Sequence, residues 1–431
     1  MDLSRLKTLI ALPFYGWYIV VVGFFSIFVG VGTTIDSMAV LVKPMSESLG
    51  WSRSLIMGAV TLGSICSSLV SPLVGRIIDR HGARILMPVS AVIGGLLLIS
   101  LSIVQSPWQF YLLFGIGLGI ARPCFSMVAA TTTISNWFIS KRGRALALTT
   151  MGAAISALLV IPLTQWIVST YNWQAAWVML GVMAWVILAI PAAVVIRRRP
   201  EDIGLLPDGR SAGDQEISST REPPGENGDR LSVFEENWSA NQAIRTKAFW
   251  LILVSMVLTS FPVMGVWLHA IASFTDKGVS PAQAAFSMGC VAFTSIPSRL
   301  LFGMIAEKFH VRYCLIITYV GLAASVIFIM LADSFPMAVG SMLFYGVFVG
   351  GNIVLQAMVW PVYFGRLSLG TIQGYAELLR VVGNAGGPLL AGIIYDITGG
   401  YYEVFSAFAG GCLAAALLIY FAKQPRWPET V

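Results

Sequence analysis

The chain has 431 residues, of which 57% are hydrophobic and only 11% charged, with a mean hydropathy of +0.79. Soluble domains carry roughly 25% charged residues, so this composition excludes a water-soluble globular protein and points to an all-α polytopic membrane protein. The formal net charge of +6 does not mark a nucleic-acid partner, because the basic residues gather on one side of the apolar segments.

Arg5 and Lys7 precede the first apolar run, which is too long for a signal-peptide core and lacks a small-residue cleavage site. It reads as the first spanning helix. Apolar runs then follow back to back, each long enough for a hydrocarbon core of roughly 30 Å. They fall at 15–42, 54–77, 84–104, 108–135, 145–170 and 174–196, then at 248–273, 281–306, 312–332, 336–363, 371–396 and 401–422. Between the sixth and seventh lies a stretch rich in Pro, Gly and acids that cannot bury a core. The expected domains are a six-helix bundle at 1–196, a linker at 197–247 and a second six-helix bundle at 248–431.

Loops on one side carry Arg76, Arg80, Arg84, Lys141, Arg142, Arg144, Arg197, Arg198, Arg199, Arg245, Lys247, Lys308, Arg312, Arg366, Lys423 and Arg426. The opposite loops carry only Lys43, Arg53 and Lys277. The positive-inside rule then sets both termini and the linker in the cytoplasm. The halves also repeat each other. Gly75, Asp79 and Arg80 recur as Gly303, Glu307 and Lys308, and Pro162 recurs as Pro388, at offsets of 228 (303 − 75) and 226 (388 − 162). Such a duplication implies a pseudo-two-fold axis along the membrane normal with a midplane cavity between the halves, an arrangement suited to transport.

Five charges stand inside the apolar runs: Asp36, Arg122, Arg299, Glu377 and Arg380. Three arginines against two acids leave one positive charge unmatched, as an organic-anion site requires. Arg299 lies about 12 Å of helix rise from the charged end at Glu307 and Lys308, close to mid-membrane, where a guanidinium must meet an anion or a carbonyl. Glu377 and Arg380 are three residues apart on one helical face, so they either serve the cargo, neutralise each other or take part in gating, and Glu377 is also a candidate proton carrier. Arg122 reads as a cavity contact or as a partner of Asp36, and Asp36 as a proton carrier or as that partner. Tyr345 and Asn352, seven residues apart, share a face of the tenth segment and are candidate cavity residues. The five cysteines stand singly in apolar runs and read as packing. No nucleophile with its base, metal-ligand cluster or phosphate loop is visible, so neither an enzyme nor a cofactor is expected.

The loop GRIIDRHGAR at Gly75 to Arg84 resembles the signature of the major facilitator superfamily. GWY at Gly16 to Tyr18, GWSRS at Gly50 to Ser54, NWFISKRGRALA at Asn136 to Ala147, RPEDIGLLPDG at Arg199 to Gly209 and GPLLAGIIYDITGGY at Gly387 to Tyr401 resemble bacterial relatives of the monocarboxylate porters and the oxalate:formate antiporters. The resemblance implies a cytoplasmic conformational latch formed by Gly75, Asp79, Arg80 and Arg84 and, in the second half, by Gly303, Glu307 and Lys308. It implies a substrate-facing pair at Arg299 and Arg380 and a fourth segment that lines the cavity; His269, which matches a histidine frequent in those relatives, reads either as a proton sensor or as a packing histidine. Two departures stand out. Ser295 occupies the place of an aspartate in animal monocarboxylate porters, and the position of their first-segment lysine falls near Asp36.

The expected function is secondary active transport of a small mono- or dicarboxylate across the bacterial inner membrane by alternating access, as a proton symporter or an anion exchanger. The alternative is a proton-coupled exporter of drugs or other apolar compounds. Such exporters carry Gly-Pro and paired glycines in the fifth segment, where this chain has Ile161, Pro162, Leu163, Thr164 and Gln165. The expected partners are the anion, a co-transported proton and membrane lipid, for a monomeric protein.

Overall fold

The computed structural model describes residues 14–209 and 238–425; Arg5, Lys7 and Arg426 near the two termini, and most of the expected linker, lie outside the described residues. Among the described residues, twelve helices are long and apolar enough to cross a membrane. In chain order they are α1 Gly16–Leu49, α2 Arg53–His81, α3 Ala83–Ile103, α4 Pro107–Trp137, α5 Arg142–Thr170 and α6 Trp173–Val195 in the first bundle. The second bundle holds α7 Lys247–Asp276, α8 Pro281–Lys308, α9 Val311–Leu331, α10 Phe335–Phe364, α11 Leu369–Thr398 and α12 Tyr402–Phe421. No strand occurs among the described residues.

α1 outruns its apolar stretch. The helix continues through Lys43, Pro44 and Glu47 to Leu49 and stops at Gly50, whose φ of 69° only glycine adopts cheaply. Lys43, expected in a loop, therefore sits in helix, 4.0 Å from Glu47 one turn on, with both side chains in solvent. Hydropathy marks where the oil ends, whereas the backbone stops where a residue of positive φ allows it.

α4 is broken near its middle. Pro123 has no N–H to donate, and three residues later Ser126 leaves helical geometry at φ −119° and ψ −137°. Gly30 on α1 faces the break, where a Cβ would collide with the Ser126 side chain, and the Ser26 hydroxyl donates to the Phe125 carbonyl. α1 itself carries a π-helical turn at Gly32–Asp36. Such wide turns are frequent at functional sites.

The bundles meet along α2 with α11 and α5 with α8, and glycine lets the backbones touch. A Cβ on Gly75 would collide with the Gly370 carbonyl, and one on Gly143 with the Gly303 carbonyl. Beside each contact a carboxylate of one bundle seats on the first turn of a helix of the other. Asp79 accepts from the Gly370 and Thr371 amides at 2.8 Å each and from the Thr371 hydroxyl at 2.7 Å. Glu307 accepts from the Arg144 amide and from its Nε, both at 2.8 Å. The two seats obey the repeat, since 370 − 143 is 227 and 307 − 79 is 228. Arg76 adds a hydrogen bond to Tyr375 at 2.6 Å. Arg80, Arg84 and Lys308 lie exposed with no ion pair among the described residues, so within the expected latch only Gly75, Asp79, Gly303 and Glu307 form contacts between the bundles.

The segment after α6 reinforces this basic face. Asp208 accepts from the amides of Ile139, Ser140 and Lys141 at 2.8–3.3 Å. Arg366 bridges the bundles, donating to the Asn136 carbonyl at 2.8 Å and lying 3.6 Å from Glu201. Replacing Gly75 with valine should hold α2 off α11. In a cysteine-free background carrying Ser71→Cys, an impermeant thiol reagent applied from the basic face should label the Gly75→Val variant at least about tenfold faster than its Gly75 parent.

Candidate functional site: a cationic cavity between the bundles

Between the bundles lies a cavity of about 300 Å³, walled by α1, α2, α4 and α5 on one side and by α7, α10 and α11 on the other. Helical spacing explains which side chains reach it. On α11 Gln373, Ala376, Glu377 and Arg380 form one face, and on α10 Ile353, Gln356, Ala357 and Trp360 form another. The break at Ser126 brings Arg122, Ser126, Met127 and Thr131 of α4 to the same space. Ile27, Val31, Ile35, Met256 and Trp360 make most of the rest apolar.

Three ionisable side chains line the cavity, Arg122, Glu377 and Arg380, for a net charge of +1. Arg380 and Glu377 pair at 2.5 Å. Arg122 donates to the Ser67 hydroxyl at 3.3 Å and, among the described residues, pairs with no carboxylate. Asp36 is not its partner, since its carboxylate takes the Ser156 hydroxyl of α5 at 2.6 Å.

Arg299 lies beside this cavity and does not line it. It is 4% exposed, its Nη1 donates to the Thr150 carbonyl, its Nε has no partner, and no carboxylate pairs with it among the described residues. The repeat accounts for its level: 299 − 228 is 71 and 377 − 227 is 150, so Arg299 and Thr150 of the α5–α8 seam correspond to Ser71 and Glu377 of the α2–α11 seam, both of which line the cavity. Thr150 itself lines the cavity, so this charge acts on the site through one peptide group.

Tyr345 and Asn352 point into helix packing. The Tyr345 hydroxyl donates to the Val263 carbonyl at 3.1 Å, and Asn352 is 5% exposed with Oδ1 unpartnered. α10 packs on α8 through Gly346 and Gly350, pressed on Thr294 and Ser298, and meets the cavity with the later residues Ile353, Gln356, Ala357 and Trp360, so Tyr345 lies about two turns short of it. His269 lies near the far end of α7, between the Tyr401 hydroxyl and the Pro388 carbonyl at 3.1 Å each. It stands thirteen residues, or about 20 Å, beyond the cavity residue Met256 on the same helix.

The residues that sequence reasoning passed over are neutral. Gln373, 6% exposed, receives Thr131 at 2.8 Å and Thr132 at 3.1 Å on Oε1. Gln356 donates to Thr259 at 3.3 Å. Trp360 packs on Phe249 and Phe364 with ring centroids 5.5 and 6.2 Å away. A glutamine amid an apolar run was the one available signal.

Every hydrogen bond between the bundles among those described lies on the basic face or at mid-depth, from Asp79 and Glu307 inward to Thr131 with Gln373 and Arg299 with Thr150. Twelve spanning helices in two repeated bundles, holding a central cavity tied shut toward one face, form a membrane carrier.

The sequence model of the Major Facilitator Superfamily matches residues 20–275 and 268–431. The chain belongs to this superfamily and is a multi-pass membrane transporter. It is similar to Monocarboxylate transporter 2 of Rattus norvegicus, 24% identical over 418 residues spanning 91% of this chain and 80% of the relative. It is also similar to the 3-(3-hydroxy-phenyl)propionate transporter of Escherichia coli strain K12, 25% identical over 385 residues, 88% of this chain and 85% of that one. Among solved structures, the proton:xylose symporter XylE bound to 6-bromo-6-deoxy-D-glucose superposes with a TM-score of 0.70 at 15% identity, covering 95% of this chain and 96% of that chain. The human organic anion transporter MFSD10 gives 0.68 at 16%, covering 94% and 99%. At such identities the structural likeness concerns the fold alone.

Asp36→Asn keeps an acceptor for Ser156 and should leave ligand affinity within about threefold of the parent, as read by thermal shift or radioligand binding. A loss beyond about tenfold would place Asp36 in the binding machinery.

Proposed function

We propose that the protein is a secondary transporter of small organic anions, carboxylates above all, and that it couples their movement to protons. The observation that carries this reading is the cavity charge: two guanidinium groups and one carboxylate in a largely apolar space, with no further acid lining it among the described residues. The names of the monocarboxylate and hydroxyphenylpropionate relatives support a carboxylate as cargo.

Arg122 and Arg380 hold the anion. Arg299 contributes electrostatically through Thr150 in this conformation and reaches the cargo when the α5–α8 seam opens. With Glu377 ionised, Arg380 is half-neutralised by its own neighbour; a proton on Glu377 frees that guanidinium and raises the cavity charge from +1 to +2. Anion and proton therefore favour each other's binding, which is the thermodynamic condition for symport. The bundles 1–196 and 248–431 rock about the site, and the seats of Asp79 and Glu307 hold the basic face closed until the cargo has neutralised the cavity. By the positive-inside rule that face, both termini and the linker are cytoplasmic, in the inner membrane of a bacterium. One chain supplies every wall of the cavity, in keeping with a monomer.

Uptake of labelled aliphatic and aromatic carboxylates into proteoliposomes tests the reading. Arg122→Gln and Arg380→Gln should each weaken binding about 10- to 100-fold, the worth of a charge-assisted hydrogen bond. Saturable uptake of apolar cations with no uptake of carboxylates would overturn it. Glu377→Gln should abolish the stimulation of uptake by an imposed proton gradient while counterflow persists; a gradient response equal to the parent's removes Glu377 from coupling, and a parent indifferent to the gradient is an exchanger.

A further inference from the structure

The cavity has a second polar end that the anion reading leaves unused. Gln373 lines it on α11, seven residues and about 10 Å of helix rise before Arg380, on the side toward the basic face. It is 6% exposed, and while its Oε1 takes the hydroxyls of Thr131 and Thr132, its Nε2 is buried with no partner. Reversing the amide does not cure this. The Thr131 hydroxyl lies 2.8 Å both from Gln373 and from the Met127 carbonyl, and its single proton serves one of them. Either way round, one atom of the amide stays unmatched, and an unmatched buried polar atom costs about 1–3 kcal/mol. Apolar Met127, Ile353, Ala357 and Trp360 line the same cavity, beside the small hydroxyls of Ser71 and Ser126 and the amide of Gln356.

We propose that the Gln373 amide is a specificity-determining subsite that selects carboxylates bearing a hydroxyl at the end remote from the carboxylate, joined to it by an apolar or aromatic body. A hydroxyl donates and accepts, so it completes the amide in either orientation. A ligand whose far end is purely apolar leaves the amide unmet, which is how a buried polar group discriminates against an analogue lacking one oxygen. The inference rests on the carboxylate reading above and adds the second anchor point, which fixes both the length and the chemistry of the cargo.

Matched pairs supply the test: 3-phenylpropionate against its ring-hydroxylated analogue, and octanoate against 8-hydroxyoctanoate, with affinities taken from thermal shift and competitive counterflow on the full-length protein. The hydroxyl should improve affinity about tenfold in at least one pair. Gln373→Met should erase that preference, read as the ratio of the two affinities within each pair. Gln373→Asn withdraws the amide by about one bond length and should reduce the preference, which serves if the methionine variant fails to fold. If none of the four acids binds the parent, the carboxylate reading fails and this inference with it. If they bind without preference for the hydroxyl, or if the preference survives Gln373→Met, the subsite alone is overturned.

Discussion

Two carboxylates reach across the gap between the bundles, and the architecture turns on them. Asp79 and Glu307 sit where their helices end, and each meets the first turn of a helix in the opposite bundle, where backbone N–H groups have no partners of their own. A fixed dipole end and a fixed charge make a contact that is strong when aligned and lost when the helices part by a few ångströms. Glycine pairs beneath them, Gly75 with Gly370 and Gly143 with Gly303, remove the side chains that would hold those turns apart. Duplication supplies the contact twice, related by the internal axis, so both seams close together.

The charge inside the cavity sets the complementary condition. A guanidinium held in oil is costly unless something neutralises it, by roughly 2.5–3.5 kcal/mol even on lenient scales. Arg380 has Glu377, Arg122 has a serine hydroxyl, and Arg299 has one carbonyl. The three arginines are thus satisfied to different degrees, and the least satisfied pair, Arg122 and Arg299, belong to different bundles. A ligand that neutralises the cavity relieves a cost borne by both halves at once.

Much of this was legible in the sequence, because spanning helices must be apolar and about twenty residues long and because a buried charge stands out against such a background. The spans, the repeat offset near 227, the five intramembrane charges and the Glu377 and Arg380 neighbours are all of that kind. Depth was legible too, but azimuth was not. An α-helix that is apolar all round gives no moment by which to orient it, so Tyr345 and Asn352 looked as eligible as Gln356 and Trp360, and contacts made in three dimensions, such as the Tyr345 hydroxyl on the Val263 carbonyl, decide between them. Arg299 shows the same limit: its depth follows from residue counting, while the carbonyl it meets depends on how α5 and α8 cross. The break at Ser126 had a sequence cause in Pro123, yet its consequence, the turning of Arg122 and Met127 toward one space, is a property of three dimensions.

The anchoring of Asp208 on the loop after α4 changes what the connection between the halves does mechanically. On the other side Trp238 is pinned to the second bundle, its amide 3.0 Å from the Phe364 carbonyl and its ring edge-on to Phe364. The covalent path left between the two anchors is thirty residues (238 − 208), which extends to roughly 100 Å at most. Bundles already in contact need a small part of that reach. Covalent length by itself therefore does not set how far the two bundles can part.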